Sequence, residues 1–187
     1  MSLPPPSTRQ LAHTRKVTFR GYRRDDGLWD IEGELHDSKA HELVIPDERT
    51  WAPGETIHGM VIRVTINQQM VVQEIAVAMD DVPHAACSRT MPAMQHMVGV
   101  AMGPGWRQAI EKHLGGVQGC AHLRELLFNM ATAAFQTLPG GLSKADPSRP
   151  PLHLGKCLTW DFNGPLVQKL YPVHFQKGPA PKAAAQG

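Results

Sequence analysis

Three cysteines and ten histidines carry most of the chemistry open to this chain. The densest group is the run Gly115-Gly116-Val117-Gln118-Gly119-Cys120-Ala121-His122. Its glycines do not suit a helix interior, whereas Leu123, Leu127, Met130, Ala131 and Ala134 recur at the spacing of one buried helical stripe. The pattern predicts a helix that starts near Gly119, with Cys120 on its first turn. There, free backbone N–H groups and the positive end of the helix dipole favour a thiolate. His122 follows two residues on. A soft sulfur and an imidazole at a helix N-terminus suit a metal ion or a nucleophile, and they also suit an inert buried thiol beside a surface histidine.

Other donors stand at the starts of other predicted elements. Ile57 to Ile66 reads as a strand whose even positions, His58, Met60, Ile62, Val64 and Ile66, share one face. Asn67-Gln68-Gln69 supplies a turn, and Met70 to Met79 returns as the partner strand. Cys87 then opens a helical segment with Met91, Met94 and Val98 on one side, and Pro92 is tolerable near its start. Trp106 to Leu114 is a short amphipathic helix that Gly115-Gly116 ends. His58, Cys87 and Cys120 thus each sit at the N-terminal edge of an element, and such edges can converge.

Upstream, Lys16 to Tyr22 and Leu28 to Leu35 flank Arg23-Arg24-Asp25-Asp26-Gly27, whose Asp-Gly pair marks a tight hairpin turn. A third stretch, His41 to Ile45, is expected to join the same sheet before Pro46 and Pro53-Gly54 mark a loop. Strands come first and helices after, without alternation, which is the order of an α+β fold with an antiparallel sheet of consecutive hairpins under a helical layer. The expected organisation is a flexible arm over residues 1–14, one domain over 15–138, a linker over 139–151, a C-terminal hairpin over 152–176 turning at Asn163-Gly164, and a disordered tail over 177–187.

Several classes are set aside by composition. At 187 residues the chain has room for one ordinary domain with additions. No apolar run of about 18 residues occurs and the N-terminus lacks the regions of a signal peptide, so a cytoplasmic protein away from membranes is expected. An odd number of cysteines then implies free thiols or ligands. A net charge of +2 is too small to imply nucleic acid. The basic residues near the start, among them Arg15 and Lys16, read as a solvated strand face. Phosphate-binding glycine loops, nucleophile elbows and the His-Glu-x-x-His motif are absent. Asp25, Asp26, Asp30 and Asp37 each offer a general base, but turn chemistry accounts for two and solvent exposure for the others, and none is assigned. The methionines at 91, 94, 97 and 102 read as core filler.

Two resemblances bear on these residues. The placing of one ligand before a strand, a second opening the first helix after a hairpin and a third opening the last helix resembles the iron–sulfur cluster scaffolds of the NifU N-terminal type. This implies a NifU/IscU-like core over roughly residues 55–137, with Cys87 and Cys120 matching two ligand cysteines. In those scaffolds a Cys-Gly-Asp run leads into the strand, and here it is His58-Gly59-Met60. More closely, the Arg-Arg-Asp-Asp-Gly-Leu-Trp-Asp-Ile-Glu-Gly start, the Gly54-Glu55-Thr56-Ile57-His58 strand, the Gly-Gly-Val-Gln-Gly-Cys-Ala-His-Leu helix and Cys157 before Asn163-Gly164-Pro165 resemble a bacterial family known only as domain of unknown function 2889. That family brings no activity with it.

The donors in hand are then one nitrogen and two sulfurs from His58, Cys87 and Cys120, with His122 or Cys157 able to close a fourth position. Such a set suits Zn²⁺ or mononuclear Fe²⁺. A site closed by four protein ligands would be structural, and an open one catalytic. Three functions follow: a small metalloenzyme acting on a small molecule, an iron–sulfur cluster or sulfur carrier, and a non-catalytic binding module that could be a homo-oligomer.

Overall fold

The computed structural model describes residues 3–138, 150–151 and 153–178. The chain divides into two compact units, Met1–Leu138 and Pro139–Gly187. Residues 3–12 are exposed and form neither helix nor strand. The expected linker and tail lie outside the described residues apart from 150–151 and 177–178.

Four long strands form one antiparallel sheet in the first unit: β1 (His13–Arg23), β2 (Trp29–Lys39), β5 (Thr56–Ile66) and β6 (Val72–Asp81), in the order β1-β2-β5-β6. The first hairpin turns where Asp-Gly predicts it. Gly27 takes a positive φ of 84°, and the Asp26 carboxylate accepts from the Leu28 N–H at 3.2 Å. At the second turn the Asn67 side chain accepts from the N–H groups of Gln69 and Val71, both at 3.0 Å, which lets Met70 adopt its positive φ of 60°.

Alternation decides which face is buried. Trp29, Ile31 and Leu35 on β2, and Met60, Ile62, Val64 and Ile66 on β5, face the helices, with Leu35 opposite Met60 and Ile31 opposite Val64. Over them lie a 3-10 run (Ala85–Met97), α1 (Trp106–Leu114) and α2 (Ala121–Thr137). The stripe of α2 is Leu123, Leu126, Leu127, Met130 and Ala134, all buried. Each large apolar side chain so covered contributes about 1.5–3 kcal/mol. The indole N–H of Trp106 donates to the Leu127 carbonyl at 2.8 Å and ties α1 to α2. Met94, Met97 and Met102 fill the core, as expected.

Two segments differ from expectation. Leu43–Ile45 (β3) does not join the large sheet; it pairs with Arg49–Trp51 (β4) in a separate two-stranded ribbon. Only three residues, Pro46 to Glu48, separate the two strands, and Asp47 with its positive φ of 62° closes a local turn between them. In the second unit, residues 158–174 form two short 3-10 turns and the helix α3 (Pro165–Leu170) in place of a hairpin. Gly164 has φ −81° and ψ 154°, an N-cap conformation, and Pro165 occupies the first helical position. Proline's fixed φ and missing N–H suit a helix start, and this overrides the turn signal of the preceding Asn-Gly. His153 packs edge-on against Trp160 and Tyr171 there, with ring centroids 4.4 and 5.4 Å away. Among the described residues no helix is long and apolar enough to cross a membrane.

Candidate functional site

The inward parity of β2 runs through Trp29, Ile31, Gly33 and Leu35 and arrives at Asp37. The carboxylate therefore points under the helices, and Asp37 is only 3% exposed. Strand register sets its neighbours. Arg15 on β1 lies opposite Asp37 on one side and His58 on β5 lies opposite it on the other, forming a row of three across the sheet. A register shift follows directly after Asp37. Irregularities of this kind often occur beside functional residues.

Arg15 grips the carboxylate with two bonds: Nε donates to Oδ1 and Nη2 to Oδ2, both at 2.8 Å. Its Nη1 donates to Glu125 on α2 at 2.6 Å. His13, one inward position before Arg15, places Nε2 3.1 Å from Asp37 Oδ1. On the other oxygen, Asp37 Oδ2, converge His58 Nδ1 at 3.2 Å and His122 Nε2 at 3.7 Å. The rings of His58 and His122 lie 4.1 Å apart, tilted by 36°.

His122 enters from the first turn of α2. Cys120 is the N-cap of that helix, with its carbonyl accepting from the Arg124 N–H at 3.1 Å, and its Sγ lies 3.8 Å from His122 Nδ1. One imidazole thus bridges two groups, with Nδ1 toward sulfur and Nε2 toward the carboxylate.

Electrostatics follow from this arrangement. Burial works against ionisation of Asp37, but the hydrogen bonds and charge of Arg15, with help from His13, hold its carboxyl below the usual range. His58 is pushed down by burial and by the nearby His122, against the pull of Asp37, and so favours the neutral form. His122 is raised chiefly by its hydrogen bond with Cys120, although burial opposes this. Burial likewise opposes the Cys120 thiolate, yet the His122 contact and the backbone N–H groups of Leu123 and His122 prevail and the thiol is lowered.

Among the described residues, Asp37, His58 and His122 bring one possible ligand atom each to within 4.8 Å of one another. Two of these residues, His58 and His122, were expected from the sequence. Cys120 touches the group through the far nitrogen of His122. Cys87 is half-buried in the 3-10 run and lies outside the group, and Cys157 is exposed in the second unit. The three thiols are free. Asp37 and Arg15, read from the sequence as solvent-facing, are at the centre. Their signal was present in the alternation, which puts Asp37 on the same face as Leu35.

No curated protein and no solved structure matches the chain. One family profile does, over residues 13–136, and those limits enclose the four-stranded sheet, α1, all but the last residue of α2 and every residue of the site. The chain belongs to that family, the proteins of unknown function DUF2889.

Proposed function

We propose that the protein is a small metalloenzyme with one Zn²⁺ or Fe²⁺ held by Asp37, His58 and His122, acting on a small molecule. The observation that carries this reading is the aim of two imidazole nitrogens at one carboxylate oxygen. Ligands bound about 2.0–2.2 Å from a tetrahedral ion lie roughly 3.3–3.6 Å apart. The two separations from Asp37 Oδ2, 3.2 and 3.7 Å, bracket that value. Two histidines and a carboxylate suit catalytic zinc and also non-haem Fe²⁺, and both leave positions open for water and substrate.

The surrounding groups match what a metal site needs. A ligating carboxylate works best when its orientation is fixed by further hydrogen bonds, and Arg15 and His13 supply these to Asp37. Lowered basicity keeps His58 neutral and its lone pair available near neutral pH. A bound ion would act as Lewis acid or lower the pKa of a bound water. The protein's own share is to hold three donors rigidly on two strands and a helix end.

This reading revises the expected donors: carboxylate and imidazole take the place of the two cysteines. A cluster or sulfur carrier, the function suggested by the likeness to NifU-type scaffolds, would need Cys87 and Cys120 in one set, and Cys87 is not among the converging donors. A second reading has an observation of its own. Cys120 Sγ, His122 and Asp37 form a thiol–imidazole–carboxylate line at a helix N-terminus, with steps of 3.8 and 3.7 Å, the arrangement of a nucleophilic cysteine with its base and orienting acid.

Metal analysis separates the two. Protein purified aerobically and anaerobically without a histidine tag should carry about one zinc or iron per chain. His58→Ala should lose it and Cys87→Ala should keep it. Fully folded, metal-free wild type whose Cys120 is rapidly alkylated at neutral pH would replace the metal reading with the thiol one.

A further inference from the structure

We infer that Cys120 is a positioning residue, not a metal ligand: its sulfur fixes the ring of His122 so that Nε2 faces Asp37 and His58. This rests on the metal reading above and assigns the cysteine a role within it. Three observations carry it. The contact of Sγ is with Nδ1, at 3.8 Å, while the opposite nitrogen, Nε2, faces Asp37 Oδ2 at 3.7 Å. An imidazole reaches an ion with one nitrogen, and the hydrogen bond made by the other sets its tautomer and orientation. Cys120 is also the N-cap of α2, so its backbone and Cβ are placed relative to His122, two residues along the same turn, and its sulfur has only a short way to reach the ring. Finally, the converging donor atoms come from Asp37, His58 and His122, and the cysteine sulfur is not one of them.

With an ion on Nε2, the ring proton belongs on Nδ1, donated to sulfur, and the lone pair of Nε2 is directed into the site. Without the sulfur, neutral His122 is free to carry its proton on Nε2, which blocks that lone pair. Outer partners of this kind typically alter metal affinity by about 10–100-fold, whereas removal of a ligand abolishes the site. Serine in place of cysteine retains an acceptor at the same backbone position and should restore most of the affinity.

Cobalt distinguishes a ligand from a neighbour because thiolate bound to Co²⁺ gives intense near-ultraviolet charge-transfer absorption, which nitrogen and oxygen donors lack. Metal-free wild type, Cys120→Ala, Cys120→Ser and His58→Ala would be titrated with Co²⁺. Wild type should bind without that absorption, Cys120→Ala should bind about 10–100-fold more weakly, and Cys120→Ser should lie close to wild type. Charge-transfer absorption in wild type that disappears in Cys120→Ala would make the cysteine a ligand and overturn the inference while leaving a metal centre. Unchanged affinity in Cys120→Ala would overturn it too. If wild type binds no cobalt, or His58→Ala binds as well as wild type, the proposed centre itself fails, and ¹⁵N chemical shifts of metal-free protein above the imidazole titration range then decide the role of the sulfur. Wild-type His122 should carry its proton on Nδ1 and Cys120→Ala should shift it toward Nε2; the same tautomer in both overturns the inference.

Discussion

Arg15 donates to both oxygens of Asp37 and, through its remaining terminal nitrogen, to Glu125, so one cation serves two anions on different elements. Asp37 is nearly inaccessible while the Arg15 side chain is one third exposed. Replacing Asp37 by Asn leaves this cation with half its charge compensation beside two imidazoles. Breaking a fully buried pair costs about 3–5 kcal/mol, and the partial exposure of Arg15 lowers the expectation to roughly 2–4 kcal/mol, measurable by urea unfolding at neutral pH. The effect carries a pH signature. The folded carboxyl titrates below its unfolded value of about 3.9, so its contribution is present above that value and is lost as pH falls through the folded pKa, where the unfolded chain binds the extra proton. His58 is also lowered, so folding disfavours its proton and stability declines as pH drops below about 6.5. His122 is raised and acts oppositely: its contribution is full below about 6.5 and is lost as pH rises through its folded pKa. The gap between wild type and Asp37→Asn should therefore narrow in strong acid. A gap that stays constant from neutral pH to strong acid would show that Asp37 acts by packing alone.

The first turn of α2 is placed by the glycine loop before it. A Cβ on Gly119 would lie 2.5 Å from the Leu114 carbonyl oxygen and 3.0 Å from Leu114 Cβ. Leu114 is the buried last residue of α1 and cannot yield like an exposed side-chain tip. Gly119→Ala should then push the start of α2 away from α1, with an overpacking cost of about 1–3 kcal/mol. Because Cys120 and His122 ride on that turn, metal affinity should fall along with stability. Gly27→Ala, strained by its own positive φ but at a distant turn, should lower stability and leave affinity alone. Equal affinity in Gly119→Ala and wild type would separate the loop from the site. The same elements show what was readable in the sequence. Apolar alternation revealed the two hairpins and glycine spacing the start of α2, since both reflect local backbone preference. Asp37 reads as solvent-facing by residue type although its parity is plain, because a carboxylate on an inward position finds its reason only in Arg15 and His58 on the flanking strands. Cys87 groups with the site by sequence because it opens a predicted element, but the six steps of chain from Asp81 to Cys87 can reach about 20 Å when extended, and no local rule fixes their direction.

At the scale of the whole chain, the apolar core and the candidate site fall in one unit. Every residue of the main core cluster lies between Phe19 and Leu138. The proposed donors Asp37, His58 and His122, with Arg15, Cys120 and Glu125 around them, fall within Met1–Leu138 as well, and the family match ends at residue 136. A domain of this size with its own four-stranded sheet and covering helices is large enough to fold alone. Truncation after Leu138 should accordingly give a chain that unfolds in one cooperative transition and binds metal with the stoichiometry and affinity of the full protein. Cys157→Ala in the full chain should behave as wild type, because the proposed ligand set contains no donor from the second unit. Circular dichroism melts and cobalt titration of the truncated chain provide the check. Lost metal binding in a truncated chain that still melts cooperatively would mean that Pro139–Gly187 supplies a ligand, with Cys157 and His153 the first residues to substitute.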